Sequence, residues 1–157
     1  MYAFRDMLAI ALIVVVVGVA SRGDADQISN YVKDGVAIGG ADPVAYFTDN
    51  KLEAGSPDFT AEWNGVTWRF ASAVNRDNFK SKPATYAPQF GGFCTVGTSF
   101  GKKIPIDPEQ FKIVGGKLYL NSSSKAQSIF LHDETRTINR AESNWPNIET
   151  VPADKLQ

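Results

Sequence analysis

Very few side chains in this sequence are able to do chemistry. It holds one cysteine, Cys94, one histidine, His132, and two methionines, Met1 and Met7, both near the N-terminus. Soft metals such as Cu(I) take thiolate and thioether ligands, and zinc takes several Cys or His. Without its N-terminal segment the chain is unable to complete such a site alone. Three readings of Cys94 follow. It is a small buried hydrophobe between Phe93 and Thr95. Or it is a ligand for a metal or heme, completed by His132 or by a protein partner, or donated from each chain of a homodimer. Or it is a redox or nucleophilic thiol, for which no basic residue adjoins it in sequence to lower its pKa. His132 follows an apolar helical face beside Asp133 and reads as an exposed helix-end residue. The carboxylates are scattered, with Asp42 and Asp107 in capping positions before prolines and Glu62 within reach of Arg69. No pair is marked for acid–base work and no nucleophile elbow is present, so the expectation is a protein that is not an enzyme.

The elements that must position these groups start with a hairpin. Phe59, Ala61 and Trp63 alternate with polar residues, as do Val66, Trp68 and Phe70, and Asn64-Gly65 between them is a strong hairpin signal. A two-residue turn pairs Trp63 with Val66, Ala61 with Trp68 and Phe59 with Phe70, with all of them on one face. Ser72 then caps a helix from Ala73 to Ser81 whose Val74 and Phe79 pack inward, and Pro83 stops it. A turn at Pro83 to Tyr86 leads into Gln89-Phe90-Gly91-Gly92-Phe93-Cys94. The paired glycines allow positive φ or a close backbone approach; no helix start is read just after them, which favours packing over anion binding. A second hairpin places Phe111 and Ile113 on the face of Leu118 and Leu120, with Gly115-Gly116 as its turn.

Asp42-Pro43 opens a short helical turn through Val44, Ala45, Tyr46 and Phe47. Asp107-Pro108 echoes that start, and one echo does not make a repeat protein. Thr95 to Lys103 resembles a phosphate loop but has the wrong glycine spacing and no Ser or Thr after its lysines. Ser124 caps a helix carrying Ala126, Ile129 and Phe130. Asp133 caps another carrying Ile138, Ala141 and Trp145, which Pro146 ends.

With 157 residues, 43% of them hydrophobic, the chain is sized for one domain with a packed core. A net charge of -1 and the absence of any basic run exclude a nucleic-acid track. Leu8 to Ala20 is apolar and shorter than the roughly 20 residues a membrane span needs. Residues 1–25 therefore read as a secretory signal peptide, with an uncleaved anchor as the competing reading, and export leaves no stable membrane span. Residues 26–34 form a polar arm, and the end of the chain, residues 149–157, a mobile tail.

The phrases Gly35-Val-Ala-Ile-Gly-Gly-Ala-Asp-Pro-Val-Ala-Tyr-Phe47, Phe70-Ala-Ser72 with Asn75-Arg76-Asp77 and Phe79, Pro83-Ala-Thr-Tyr-Ala-Pro-Gln-Phe-Gly-Gly-Phe-Cys94, and Gly116-Lys-Leu-Tyr-Leu120 resemble the exported YHS domain-containing proteins of bacteria. The resemblance spans about Gly35 to Trp145 and implies a YHS-like domain over residues 35–148 in a periplasmic or secreted protein. Metal-handling members of the wider family place cysteines at the positions that Ala45, Ala71 and Asn75 occupy here. The resemblance therefore implies a related fold without the family's three thiols.

The expected architecture is α+β, with two hairpins forming a small antiparallel sheet covered on one side by short helices. Tyr46, Tyr86, Phe90, Cys94 and Tyr119 are expected to line or border a pocket where the Gly-rich return meets the sheet. The expected role is a binding or accessory module. The alternatives are a copper or zinc protein using Cys94 with a partner or second chain and, ranked lower, a thiol redox enzyme.

Overall fold

A computed structural model describes residues 28–156, so the expected signal peptide lies outside the described residues. The fold is α+β, as the sequence patterns predict. Strands β1 (Val32–Lys33), β2 (Val36–Ala37), β3 (Ser56–Trp63) and β4 (Val66–Phe70) form one sheet in the order β1-β2-β4-β3. Strands β5 (Asp107–Val114) and β6 (Lys117–Asn121) form a second, two-stranded sheet. The hairpins thus do not share a ladder, and the larger sheet is mixed, because β2 runs parallel to β4. The helices are α1 (Ala45–Thr48), α2 (Ala73–Ser81), α3 (Pro83–Tyr86), α4 (Thr95–Ser99), α5 (Ser124–His132) and α6 (Glu134–Ile148).

Both hairpin tips put two successive residues at positive φ, Asn64 and Gly65 at 49° and 69°, Gly115 and Gly116 at 57° and 75°. That is the requirement of a type I′ turn, whose twist matches the strands it joins. Trp63 pairs with Val66 and Ala61 with Trp68, and Phe111 pairs with Leu120 and Ile113 with Leu118, as the alternation predicts. Phe59, expected opposite Phe70, is displaced. Phe70 pairs with Ser56 instead, and the register shifts between Ser56 and Thr60. The cause is local. Pro57 has no N–H for the ladder, and Ser56 Oγ accepts the Asp58 N–H at 3.1 Å, turning the chain within the strand. Asp107-Pro108 is likewise no helix start. Asp107 Oδ1 accepts the Glu109 N–H at 3.1 Å in the same kind of turn, and the register shifts between Asp107 and Phe111.

These paired irregularities belong to a larger correspondence, since the two halves of the chain follow one plan. Val36 lies parallel to β4 opposite Thr67, and the Gln89 N–H donates to Leu118 O on β6 at 2.9 Å. Each segment then makes a left-handed turn, Ile38-Gly39-Gly40 with φ of 44°, 67° and 82°, and Phe90-Gly91-Gly92 with φ of 55°, 60° and 82°. Asp42 caps α1 and Cys94 caps α4. A bulged hairpin follows in each half, then a helix of 9 residues capped by Ser72 or Ser123 and carrying a buried phenylalanine, Phe79 or Phe130. The Asp-Pro echo visible in the sequence matches the wrong positions, because the true counterpart of Asp42 is Cys94.

Two apolar clusters result. One gathers Trp68, Phe70, Phe79, Ile38 and Tyr46 with Leu118 and Leu120 from the second hairpin. The other gathers Phe90, Cys94, Tyr119, Phe130 and Ala141, with Ile138 and Trp145 against it. Val74, expected inward, is 66% exposed. It lies five residues from Phe79, roughly 140° around the helix at 100° per residue. Ile129 is 46% exposed for a similar reason, since Ala126 and Phe130, four apart, define the buried stripe of α5. The cap of α5 is Ser123, not Ser124. Pro146 lies inside α6 rather than ending it. It removes one donor from the ladder, while the Glu149 N–H still donates to Trp145 O at 2.8 Å.

Candidate functional site

The five residues expected around one pocket are divided between the two clusters. Tyr46 is fully buried, its ring against Phe111 at 4.6 Å and its hydroxyl donating to Pro108 O at 2.8 Å. Burial, then Asp107 and Asp42, push its pKa above the ordinary phenol value. Tyr86 is half-buried and packs edge-on against Phe47 at 5.5 Å. Phe90, Cys94 and Tyr119 belong to the second cluster, Phe90 and Tyr119 with ring centroids 6.1 Å apart. Burial, then Glu142, raise the Tyr119 pKa. The structure brings Phe90, Cys94 and Tyr119 together as packed interior and sets Tyr46 and Tyr86 elsewhere. None of the five lines the cavities described below.

Cys94 is 1% exposed and its sulfur has work inside the fold. It accepts the Gly97 N–H at 3.4 Å, capping α4, and donates to Asn121 Oδ1 at 3.7 Å. Asn121, itself fully buried, also accepts the Val96 N–H at 3.2 Å and donates to Gln127 Oε1 at 2.8 Å. Gln127 passes the chain on to Phe111 O at 2.9 Å. The helix α4 starting at Thr95 corrects the expectation that no helix begins just after the glycines. His132 is exposed at the end of α5, as its sequence context predicts.

The counterpart of Cys94 in the first half is Asp42, also fully buried. Its Oδ1 accepts the Val44 N–H at 2.8 Å and the Ala45 N–H at 3.4 Å. Its Oδ2 accepts the Ala71 N–H at 2.8 Å and the Asn75 side-chain amide at 2.7 Å. Four donors offset the cost of burying a carboxylate. Ala45, Ala71 and Asn75, the positions at which the resemblance places metal-binding cysteines, thus meet around one carboxyl group. Two methyl groups and an amide already donating do not fit copper or zinc, and among the described residues no group of three or more His, Cys, Asp or Glu is placed to hold a metal ion.

Glu62, expected to pair with Arg69, instead accepts the Thr67 hydroxyl. Arg69 runs past Gly40, and its Nε is buried with no hydrogen-bond partner among the described residues.

Sequence reasoning overlooked Lys103. The residue is 5% exposed, and its ammonium donates to Ile28 O at 2.8 Å, Glu149 O at 2.6 Å and Val151 O at 2.8 Å. It also lies over the rings of Phe93 at 5.3 Å and Trp145 at 5.5 Å. Burial brings its pKa down to about 8, against a smaller upward pull from Glu149. The start of the expected tail is therefore fastened, and so is the expected arm, where the Tyr31 N–H donates to Gly91 O at 2.8 Å. A doublet of lysines in a polar loop carries no local signal of this burial.

Three tryptophans, all that the chain has, border a recess of about 90 Å³ together with Asn30, Asn64 and Glu149. That is the share of about three waters, too little for a cofactor. Two larger hollows, about 270 and 310 Å³, adjoin along α6. Nothing in the local pattern of α6 announces them, because they arise where the end of α4 and the α5–α6 corner leave its outer face uncovered. No helix among the described residues is long and apolar enough to cross a membrane.

In comparisons with known proteins, no family model, no curated protein and no solved structure matches this chain.

Proposed function

We propose that the protein is an exported, non-catalytic binding or accessory module of the YHS kind, working in the periplasm or outside the cell. The observation that carries this reading is the convergence of Ala45, Ala71 and Asn75 on Asp42. Residues far apart in sequence, singled out by the resemblance alone, gather at one point, where a fully hydrogen-bonded carboxyl group stands in place of a thiolate cluster. Such a centre braces the fold and has no donor left over for a metal. Cys94 supports the same reading, since a buried thiol engaged with Gly97 and Asn121 is poorly placed to reach a substrate or a second chain.

Protein isolated from the periplasm tests this directly. Mass spectrometry is expected to find a mature chain starting near Asp26, elemental analysis no stoichiometric copper or zinc, and iodoacetamide only slow modification of Cys94 in the native state. Equimolar metal that disappears in Cys94→Ala would transfer the function to a shared metal site. Rapid native alkylation near neutral pH would transfer it to a thiol enzyme.

A further inference from the structure

We propose that the groove along α6 is a docking site for an acidic peptide segment of a partner protein. The two hollows beside this helix share Ser99 and Arg140 and together run along it from Asp133 to Asn144. Arg136, Arg140 and Asn144 follow one another at intervals of four and so share a face of α6. From Arg136 to Asn144 that face is about 12 Å long at 1.5 Å per residue, the reach of about four residues of extended chain.

The charge on this face is mainly positive, with Arg136 and Arg140 against the one carboxylate of Asp133. Neither arginine is in an ion pair among the described residues. The acid lining the groove is Asp133, whose carboxylate is occupied by the Arg136 backbone N–H at 3.0 Å in capping α6. Arg140 is preorganised, its guanidinium stacked over the Phe100 ring at 4.9 Å. A stacked guanidinium keeps its edge N–H groups free for a carboxylate, which it binds through two parallel hydrogen bonds.

The same groove offers apolar contact. Phe100 is 61% exposed and Ile129 46%, and both line the larger hollow. Large apolar side chains left in water beside unpaired arginines match a segment that alternates carboxylates with a bulky apolar residue. Nucleic acid, the other polyanion such arginines attract, suits the chain less well, since its net charge is -1 and the cationic row ends with α6.

The test is fluorescence anisotropy of a fluorescein-labelled Glu-Asp-Phe-Glu-Asp-Leu peptide with the full mature chain. Binding is expected at low salt, weakening about tenfold or more as ionic strength rises past the point where the Debye length falls below about 8 Å. Arg136→Glu with Arg140→Glu is expected to abolish it and Phe100→Ser to weaken it severalfold. Lys80→Glu, on α2, leaves it unchanged. All these side chains face solvent, so unaltered circular dichroism and melting will accompany the losses. Absence of binding at low salt overturns the proposal, and so does binding that survives the double charge reversal. Equal affinity for a labelled single-stranded oligonucleotide or for phosphatidylglycerol vesicles, lost in the same variants, also overturns it by making the groove a general anion surface.

Discussion

The Asn75 amide donates to Asp42 Oδ2 at 2.7 Å, tying the first turn of α2 to the cap of α1 across the edge of the hairpin. A hydrogen bond to a buried carboxylate contributes about 1.5–3 kcal/mol. Asn75→Ala is expected to lower stability in urea by about 2 kcal/mol. Asp42→Ala leaves four donors without an acceptor and is expected to cost more, about 3 kcal/mol or above. An Asp42→Ala protein as stable as the parent would show that these contacts do not hold the two helices.

Cys94 caps α4 through its sulfur, which accepts the Gly97 N–H. Cys94→Ala removes the acceptor of the Gly97 N–H and leaves a small void, for an expected loss of about 1–3 kcal/mol. Cys94→Ser keeps an acceptor and is expected to lose less. In the parent, the alkylation rate should climb with urea in step with unfolding; a rate indifferent to urea contradicts the burial described here.

Lys103 gives the protein a pH signature in alkali. Below pH 8 the lysine is protonated whether the chain is folded or not, so it adds no pH dependence. Between about 8 and its ordinary 10.5 the folded chain has released a proton that the unfolded chain still holds. Stability contributed by this group therefore rises with pH across that window. Subtracting the urea stability of Lys103→Met from that of the parent, measured from pH 7 to pH 10, should give a difference that is flat at first and then climbs. A difference that stays flat throughout would place the folded pKa near its usual value.

Gly91 and Gly115 both lie at positive φ, 60° and 57°, yet they should respond differently to alanine. At Gly115 an added methyl group meets nothing within 4 Å. The cost there is the left-handed backbone alone, about 1–2 kcal/mol. At Gly91 the same methyl group runs into the carbonyl oxygen of Ser29. Gly91→Ala is expected to cost clearly more than Gly115→Ala and to expose the N-terminal segment to limited proteolysis, and equal melting of the two variants would contradict the close approach.

The parts of this fold that the sequence announced are those whose signal is local. Asn64-Gly65 and Gly115-Gly116 each define their own turn, and the alternation on either side then determines which residues meet. Ser72 and Asp133 cap helices because their side chains reach only three residues ahead. What escaped reading depends on distant partners. Ser56 and Asp107 both precede proline and both make bulges, but Asp107 looks like a helix cap until β6 is set beside it. The surroundings of Cys94 were equally hidden, because its thiol meets Asn121 and shares a cluster with Phe130 and Ala141, all from later in the chain. The correspondence of the halves stayed hidden because Asp42 and Cys94 do the same job with unrelated side chains.

The three carbonyls that meet at Lys103 have one more consequence. Ile28 and Val151 each lie 2.8 Å from a single nitrogen, so the described chain is nearly a closed loop with its seam under an ammonium group. A circular permutant that joins residue 151 to residue 28 therefore needs only a short linker, and Lys103 would lie beneath the junction.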